Sequence, residues 1–329
     1  MTQGSEPLGE FELIERFFQR PLATPEVSES GQILLGIGDD CAVLDVAAGR
    51  HLVLSIDTLV EGIHFLPTLP TEALGWRALA VNISDLAAMG ADPWCFTLAL
   101  TLPTVEADWL EGFSQGLFKL ADRFGMRLVG GDTTRGPRAL TIQVQGTVPG
   151  AALTRGGARP GDLILVSGTL GDAAAALRWL NQSESQDSAH QRFLRHRYMY
   201  PEPRVELGRA LRSVATAAID ISDGLLADLG HICRRSGVGA RIDSRKLPLS
   251  PALRAELDVA DAMRCALSGG DDYELCFTVP PERLDRLQSW LAQGRVTVIG
   301  EVVAETGLQV CDEQGVWTAS EPRGYRHFE

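Results

Sequence analysis

The chain has almost no lysine. Of its 30 basic residues only Lys119 and Lys246 are lysine, and the other 28 are arginine. Few ammonium groups are therefore available for chemistry, and neither lysine follows a Gly-rich turn. No G-x-x-x-x-G-K-[ST] run exists, which excludes a Walker-type phosphate loop. A G-x-G-x-x-G dinucleotide fingerprint is missing too. The six cysteines, Cys41, Cys95, Cys233, Cys265, Cys276 and Cys311, show no C-x-x-C spacing. That argues against a zinc knuckle or a redox pair. Scattered in this way they read as small buried hydrophobes in a reducing compartment. No stretch approaches the ~18 uncharged apolar residues of a membrane span. The opening MTQGSEPLGEFELIERFF has acids where a signal sequence would be apolar. A soluble cytoplasmic protein is expected.

Positive charge is also in deficit. Against those bases stand 43 acids, for a net charge of −13 over 329 residues. Nucleic acid is a poor partner for such a chain, because phosphate backbones reward Lys and Arg. A polybasic membrane contact is excluded on the same ground. With 45% apolar and 22% charged residues the composition is ordinary for a globular protein, and the length favours two domains. The question is what so many carboxylates are for.

Strand and helix patterns mix in both halves. Helices are expected over 10–19, over 71–89 with Thr71 as cap and Gly90 as stop, and from a Thr104 cap to Gly125. Strands are expected at 52–56, 94–100, 127–129 and 140–148. The Gly- and Pro-dense PGAALTRGGARPGD (149–162) reads as a domain junction. Beyond it come strands at 163–166, 217–221, 274–279, 296–303 and 308–311, with helices at 172–180, 203–213 and 224–235. NQSESQDSAHQ (181–191) reads as polar and mobile. The fold class is α/β or α+β in two layers.

The acids fall in particular places. From Ala78 to Ala91 the only charge is Asp85, on a helix apolar nearly all round. Such a helix is expected to be buried, and a lone buried carboxylate is costly unless paired or metal-bound. A structural aspartate bonded to backbone N–H groups or an arginine fits equally well. LVLSID ends in Asp57, RLVGGD ends in Asp132, and TAAIDISDG carries Asp220 and Asp223. One such aspartate is usually a turn or a cap. Three apolar strands ending in Asp, with Asp85, point to a ligand site beyond strand ends. Converging carboxylates repel unless cations lie between them, and hard oxygen ligands select Mg²⁺ or Mn²⁺.

GIGDDCAVL (36–44) sets two glycines before an Asp pair, a turn that can form an anion nest or simply be tight. Arg135 and Arg155 lie in Gly-rich loops and suit phosphate, though either alone reads equally as a solvated surface residue. His64 is the most site-like histidine and His231 reads as structural. The aromatic tail WTASEPRGYRHFE either closes over a ring substrate or is a docked terminus. Together these features suggest nucleotide phosphate binding through Mg²⁺ by a non-Walker route.

Seven runs occur in order: LGIGDDCAVL, SIDTLVEGIHF, AVNISDLAAMGADP, GGDTTRG, LTRGGARPGD, IDISDGLLADLGHI and SGGDDYELCF. They closely resemble the thiamine-monophosphate kinase family, from about Gly9 to Phe328. The wider superfamily includes aminoimidazole ribonucleotide synthetase and uses ATP without a P-loop. The resemblance implies a two-domain α/β fold of α+β type. Residues 1–149 would form an ATP/Mg-binding domain whose mixed sheet pairs with a second copy into a barrel across a homodimer. Residues 150–329 would form a C-terminal α/β domain completing the substrate site. The implied reaction transfers the γ-phosphate of ATP to thiamine monophosphate, giving thiamine diphosphate, with several Mg²⁺ ions.

Residue by residue, the family's metal positions fall on Asp40, Asp57, Asp85, Asp132, Asp220 and Asp223, with Ser55 and the backbone of Ile56. ATP contacts fall on Gly131, Asp132, Arg155 and Ser222, and substrate contacts on His64, Asp271 and Tyr325. Asp57, Asp85 and Asp132 take the catalytic role. Asp271 departs from a common Glu, one methylene shorter, and Ile56 departs from a common Thr. Rivals within the superfamily fit less well. A selenophosphate synthetase would want a Lys near the N-terminal glycine loop, and the carbamoyl dehydratase relative a C-terminal Cys. A non-catalytic Mg-nucleotide sensor would need no acceptor pocket.

Overall fold

The computed structural model describes residues 10–20, 26–312, 314–321 and 324–325. The chain divides into two compact units, Met1–Leu86 with Asp92–Gly150, and Ala87–Ala91 with Ala151–Glu329.

The first unit begins with helix α1 (Glu10–Phe17) and a small antiparallel sheet of β1 (Glu26–Ser28), β2 (Gly31–Leu35) and β3 (Val43–Val46). Then follow β4 (Arg50–Val60), α2 (Thr71–Ala88), β5 (Asp92–Leu102), α3 (Ala107–Phe124), β6 (Arg127–Arg135) and β7 (Ala139–Pro149). The long strands pair in the order β4-β7-β5-β6, with only β5 and β6 parallel. Helix α2 is the expected apolar one. Every residue from Ala73 to Ala88 is buried except Asp85, which is partly exposed. Close α2–α3 approach depends on glycine: a Cβ at Gly116 would meet the Glu72 carbonyl oxygen at 1.8 Å, and one at Gly75 that of Phe113 at 2.0 Å. Gly125 closes α3 at φ 65, the left-handed stop its sequence predicts. The expected Thr104 cap is replaced by Glu106, and the Thr104 hydroxyl instead donates to the Glu106 carboxylate.

In the second unit the order is β8 (Leu163–Ser167), α4 (Asp172–Ala176), α5 (Ala189–Met199), α6 (Val205–Leu211), β9 (Ala217–Asp220) and α7 (Leu225–Ser236). After these come β10 (Gly239–Asp243), α8 (Pro251–Glu256), α9 (Val259–Ser268), β11 (Leu275–Val279), α10 (Gln288–Ala292), β12 (Val296–Val303), β13 (Gly307–Cys311) and β14 (Trp317–Ser320). The seven strands run β14-β13-β10-β12-β8-β11-β9, all antiparallel except β10 with β13. Ile164, Val166, Ile219, Leu225, Leu229, Ile232 and Cys276 share one core between sheet and α7. The expected mobile run 181–191 is instead anchored in its second half. Ser188 and Gln191 form a reciprocal cap on α5, and the buried Asp187 pairs with Arg195. Among the described residues no helix is long and apolar enough to cross a membrane.

This unit also buries charge. Glu274, fully buried, receives Arg197 at 2.9 Å and Arg204 through its Nε at 2.6 Å and its Nη2. Burial opposes the Glu274 charge, yet the pairing with Arg204 and Arg197 outweighs it and holds the carboxyl below its usual range. Asp272 next to it has the opposite fate: burial pushes its carboxyl well up. Its Oδ1 makes no hydrogen bond, which a neutral carboxyl tolerates better than a charged one. Removing one partner from a buried ion pair strands the other. Glu274→Ala is therefore expected to lower the unfolding free energy in urea by about 3–5 kcal/mol, and a negligible change would contradict this role.

Candidate functional site

In the first unit, β4 and α2 face each other through polar contacts. The Ser55 hydroxyl donates to Asp85 Oδ2 at 2.5 Å. The Asp57 backbone N–H donates to Asn82 Oδ1 at 3.0 Å, and Asn82 Nδ2 donates to the Ala78 carbonyl at 3.0 Å. Ser55 and Asp57 share a face of β4 by strand alternation, and Asn82 and Asp85, three apart, share a face of α2. Between Ala73 and Ala88 Asp85 is the one residue of α2 that is not buried. The side chains of Ser55, Asp57 and Asp85 offer only oxygen atoms as ligands, the set a hard divalent cation prefers.

Asp57 and Asp132 do not end their strands. β4 continues to Val60 and β6 to Arg135. The ladder passes through Gly130 and Gly131 because glycine lets β6 approach β5: a Cβ at Gly131 would meet the Leu98 carbonyl oxygen at 1.9 Å. The register also separates the two acids. Asp57 lies in one row with Ile142, Leu98 and Gly131. Asp132 lies in the next row, with Ala99, Thr141 and Thr58. Adjacent rows point to opposite faces, so Asp57 faces α2 while Asp132 is exposed on the other side. Asp40 stands exposed in the 36–42 loop, its N–H donating to Asp39. His64 closes a turn, its Nδ1 accepting from the Val60 N–H at 3.0 Å. Ile56 is exposed. Among the described residues no group of three His, Cys, Asp or Glu side chains is preassembled to hold a metal. Mg²⁺ does not need one: it is commonly held by one or two carboxylates, phosphates and waters, and Asp85 with Ser55 and Asp57 fits that pattern.

The second unit gathers its residues around one turn. β9 ends at Asp220, which is buried, and the turn 221–224 leads into α7. The turn carbonyls are all used. Ile221 accepts from Tyr273 N–H at 2.9 Å, Ser222 from Asp271 N–H at 2.8 Å, and Asp223 from Tyr325 N–H at 3.1 Å. Asp271 and Tyr273 both have positive φ, 70° and 50°, a conformation unusual for a side chain as large as tyrosine. The Tyr273 hydroxyl donates to Asp271. Ser222, Asp223, Asp271 and Tyr325 are thus joined by backbone bonds. The Arg155 loop is fixed nearby on the same unit: Ser236 Oγ accepts from Gly157 and Ala158 N–H groups, and Ala218 N–H donates to the Thr154 carbonyl. The front of the aromatic tail is strand β14 rather than a lid. Asp228 was not singled out by its sequence, though it is the one acid among Leu225, Leu226 and Leu229. Its carboxyl is pushed up to about 7 by burial and by Asp223, against three backbone N–H groups. His231 is lowered by burial and by Arg234 and Arg155, in keeping with a structural histidine.

The chain is similar to known proteins along most of its length. Residues 38–152 match the AIR synthase related protein N-terminal domain, and 159–312 its C-terminal domain. The thiamine-monophosphate kinase of Escherichia coli (strain K12) is 49% identical over 326 residues, 97% of this chain and 98% of its own. The chain belongs to the thiamine-monophosphate kinase family. The crystal structure of the thiamine-monophosphate kinase from Stenotrophomonas maltophilia K279a is 50% identical and superposes with a TM-score of 0.80, covering 84% of this chain and 90% of that one. AaThiL complexed with AMPPCP and TMP is 34% identical with a TM-score of 0.78, covering 97% of both chains. The AIR synthase-like two-domain fold expected of the thiamine-monophosphate kinase family is the fold observed.

Asn82 links helix to strand and is 1% exposed. Asn82→Ala is expected to cost about 1–3 kcal/mol, the penalty of unpaired buried polar groups, read as a lower Tm. An unchanged Tm would show that the Asn82 bridge does not hold β4 on α2.

Proposed function

We propose that this chain transfers the γ-phosphoryl group of ATP to thiamine monophosphate, giving thiamine diphosphate and ADP. The observation that carries the reading is the turn 221–224. It ties the expected nucleotide contact Ser222 and metal ligand Asp223 to Asp271 and Tyr325, the expected acceptor contacts, within one hydrogen-bonded unit.

The chemistry asks little of a base. The acceptor is a phosphomonoester with a second pKa of about 6, already an anion near neutral pH. The difficulty is to bring two polyanions together in line. Bound Mg²⁺ supplies charge neutralisation and alignment of phosphate oxygens. Asp57 and Asp85, with Ser55 and the Ile56 carbonyl, would hold Mg²⁺ ions against ATP from the α2 face of the sheet, and Asp132 from the opposite face. Asp40, Asp220 and Asp223 would hold it near the acceptor. Gly131, Arg155 and Ser222 would bind nucleotide phosphates. His64, Asp271 and Tyr325 would orient thiamine monophosphate. Residues 1–149 would serve Mg-nucleotide binding and dimerisation, and 150–329 the acceptor. The free state of all six cysteines suits a cytoplasmic enzyme.

The open face of the β4-β7-β5-β6 sheet supports a homodimer. Leu52, Leu54 and Ile56 project there from an edge strand, 44%, 54% and 60% exposed. Such an apolar edge invites pairing with another chain. A second copy covering it would put Asp132 at the interface.

The deciding assay mixes protein, Mg-ATP and thiamine monophosphate and looks for thiamine diphosphate. ADP without it would favour a nucleotide-binding rival. Asp85→Asn is expected to give a folded protein with turnover lowered by several orders of magnitude, and near-normal turnover would sink the metal assignment. Leu54→Glu is expected to convert a dimer to a monomer in sedimentation analysis. An unchanged mass would contradict the assigned interface.

A further inference from the structure

The 221–224 turn uses its carbonyls to hold the Asp271 and Tyr325 segments, so something else must hold the turn. Three of its four N–H groups answer the question, the fourth, that of Ile221, donating to the Glu274 carbonyl at 2.7 Å. Those of Ser222, Asp223 and Gly224 all donate to one oxygen, Asp228 Oδ2, each at 3.1 Å. Asp228 lies in the first turn of α7 and is 3% exposed. Its own N–H donates to the Gly224 carbonyl at 3.0 Å, so the side chain reaches back over the start of its own helix. Gly224 has φ 122, and a Cβ there would meet the Ser268 backbone at 2.8 Å. The turn is therefore clamped from three sides: by Asp228 within, by the 268–273 segment, and by the residues around Gly324, whose Cβ would meet the Asp223 carbonyl oxygen at 2.6 Å.

We propose that Asp228 is a positioning residue for the transfer reaction, fixing Ser222 and Asp223 on the nucleotide-metal side and, through the turn carbonyls, Asp271 and Tyr325 on the acceptor side. It does not touch a ligand itself, because it is buried and its Oδ2 is filled by three amides. One carboxylate oxygen sets the register of four functional residues. The inference rests on the proposed kinase reading. A displacement of about 1 Å at such a site can cost on the order of 100-fold in rate, which sets the expected size of the effect.

The test uses the full chain and three variants. In Asp228→Ala, amide hydrogen exchange is expected to rise at least about tenfold at residues 222–224, and also at Asp271, Tyr273 and Tyr325. Its kcat is expected to fall on the order of 100-fold while KM for ATP changes far less. Asp228→Asn retains one acceptor oxygen and is expected to restore kcat to within about fivefold of the parent, the size of a weakened but retained hydrogen-bond set. Should the alanine variant fail to fold, Asp228→Ser, whose short hydroxyl cannot reach three amides, replaces it with the same expectation. Asp187→Asn, at the buried pair with Arg195, serves as a control for destabilisation alone. It should lower Tm and leave kcat and exchange at 222–224 as they were. Unchanged exchange at 222–224 in the alanine or serine variant overturns the proposal, as does a kcat loss in Asp187→Asn equal to that in Asp228→Ala. Exchange is read without substrate, so it stands apart from the kinase reading, which fails only if the parent protein makes no thiamine diphosphate.

Discussion

Repulsion between two phosphate-bearing molecules is the constraint on which the rest of the structure depends. An enzyme that must join them cannot simply be basic, and this chain is strongly acidic. The alternative is to hold cations on oxygen ligands, which needs carboxylates that do not collapse onto arginines of their own chain. Asp85 stands partly exposed on the otherwise buried stretch 73–88 of α2, where the Ser55 hydroxyl of β4 donates to it. In the second unit Arg197 and Arg204 are committed to the buried Glu274.

Holding ligands is half of the task, and keeping them in register is the other. Each unit solves this with backbone. In the first, Gly131 lets β6 run close along β5 and carry Asp132 on a paired strand instead of a loose loop. In the second, a four-residue turn gives three amides to Asp228 and three carbonyls to two other segments. The unusual φ values of Asp271 and Tyr273 belong to the same economy. Strain of this kind persists only where the surroundings over-determine the conformation, and here bonds to Ile221 and Ser222 do so.

Much of this was legible in the sequence, for identifiable reasons. Asp85 stood out because a lone charge on an apolar helix is conspicuous. The α3 stop at Gly125 and the β12 span needed only local rules. What was not legible depends on pairing. A strand pattern shows that Asp57 and Asp132 lie on apolar strands, but only the ladder shows that they sit mid-strand and on opposite faces. The strand expected at 127–129 runs on past Gly131, where glycine is needed for close approach to β5. The Glu274 cluster joins residues 70 and 77 positions apart, a separation no local pattern reports. Helices α5, α8 and α9 escaped because their apolar faces are short and interrupted by charge. Asp228 carried the same signal as Asp85 and could have been found by the same reasoning.

If relief of phosphate repulsion is the central physical task, acceptor binding must depend on the cation and not only on the pocket. The direct measurement is a calorimetric titration of thiamine monophosphate into protein saturated with a non-hydrolysable ATP analogue, with and without Mg²⁺. The account predicts clear binding of thiamine monophosphate with Mg²⁺ and its near loss without. Equal affinity in the two titrations would contradict it.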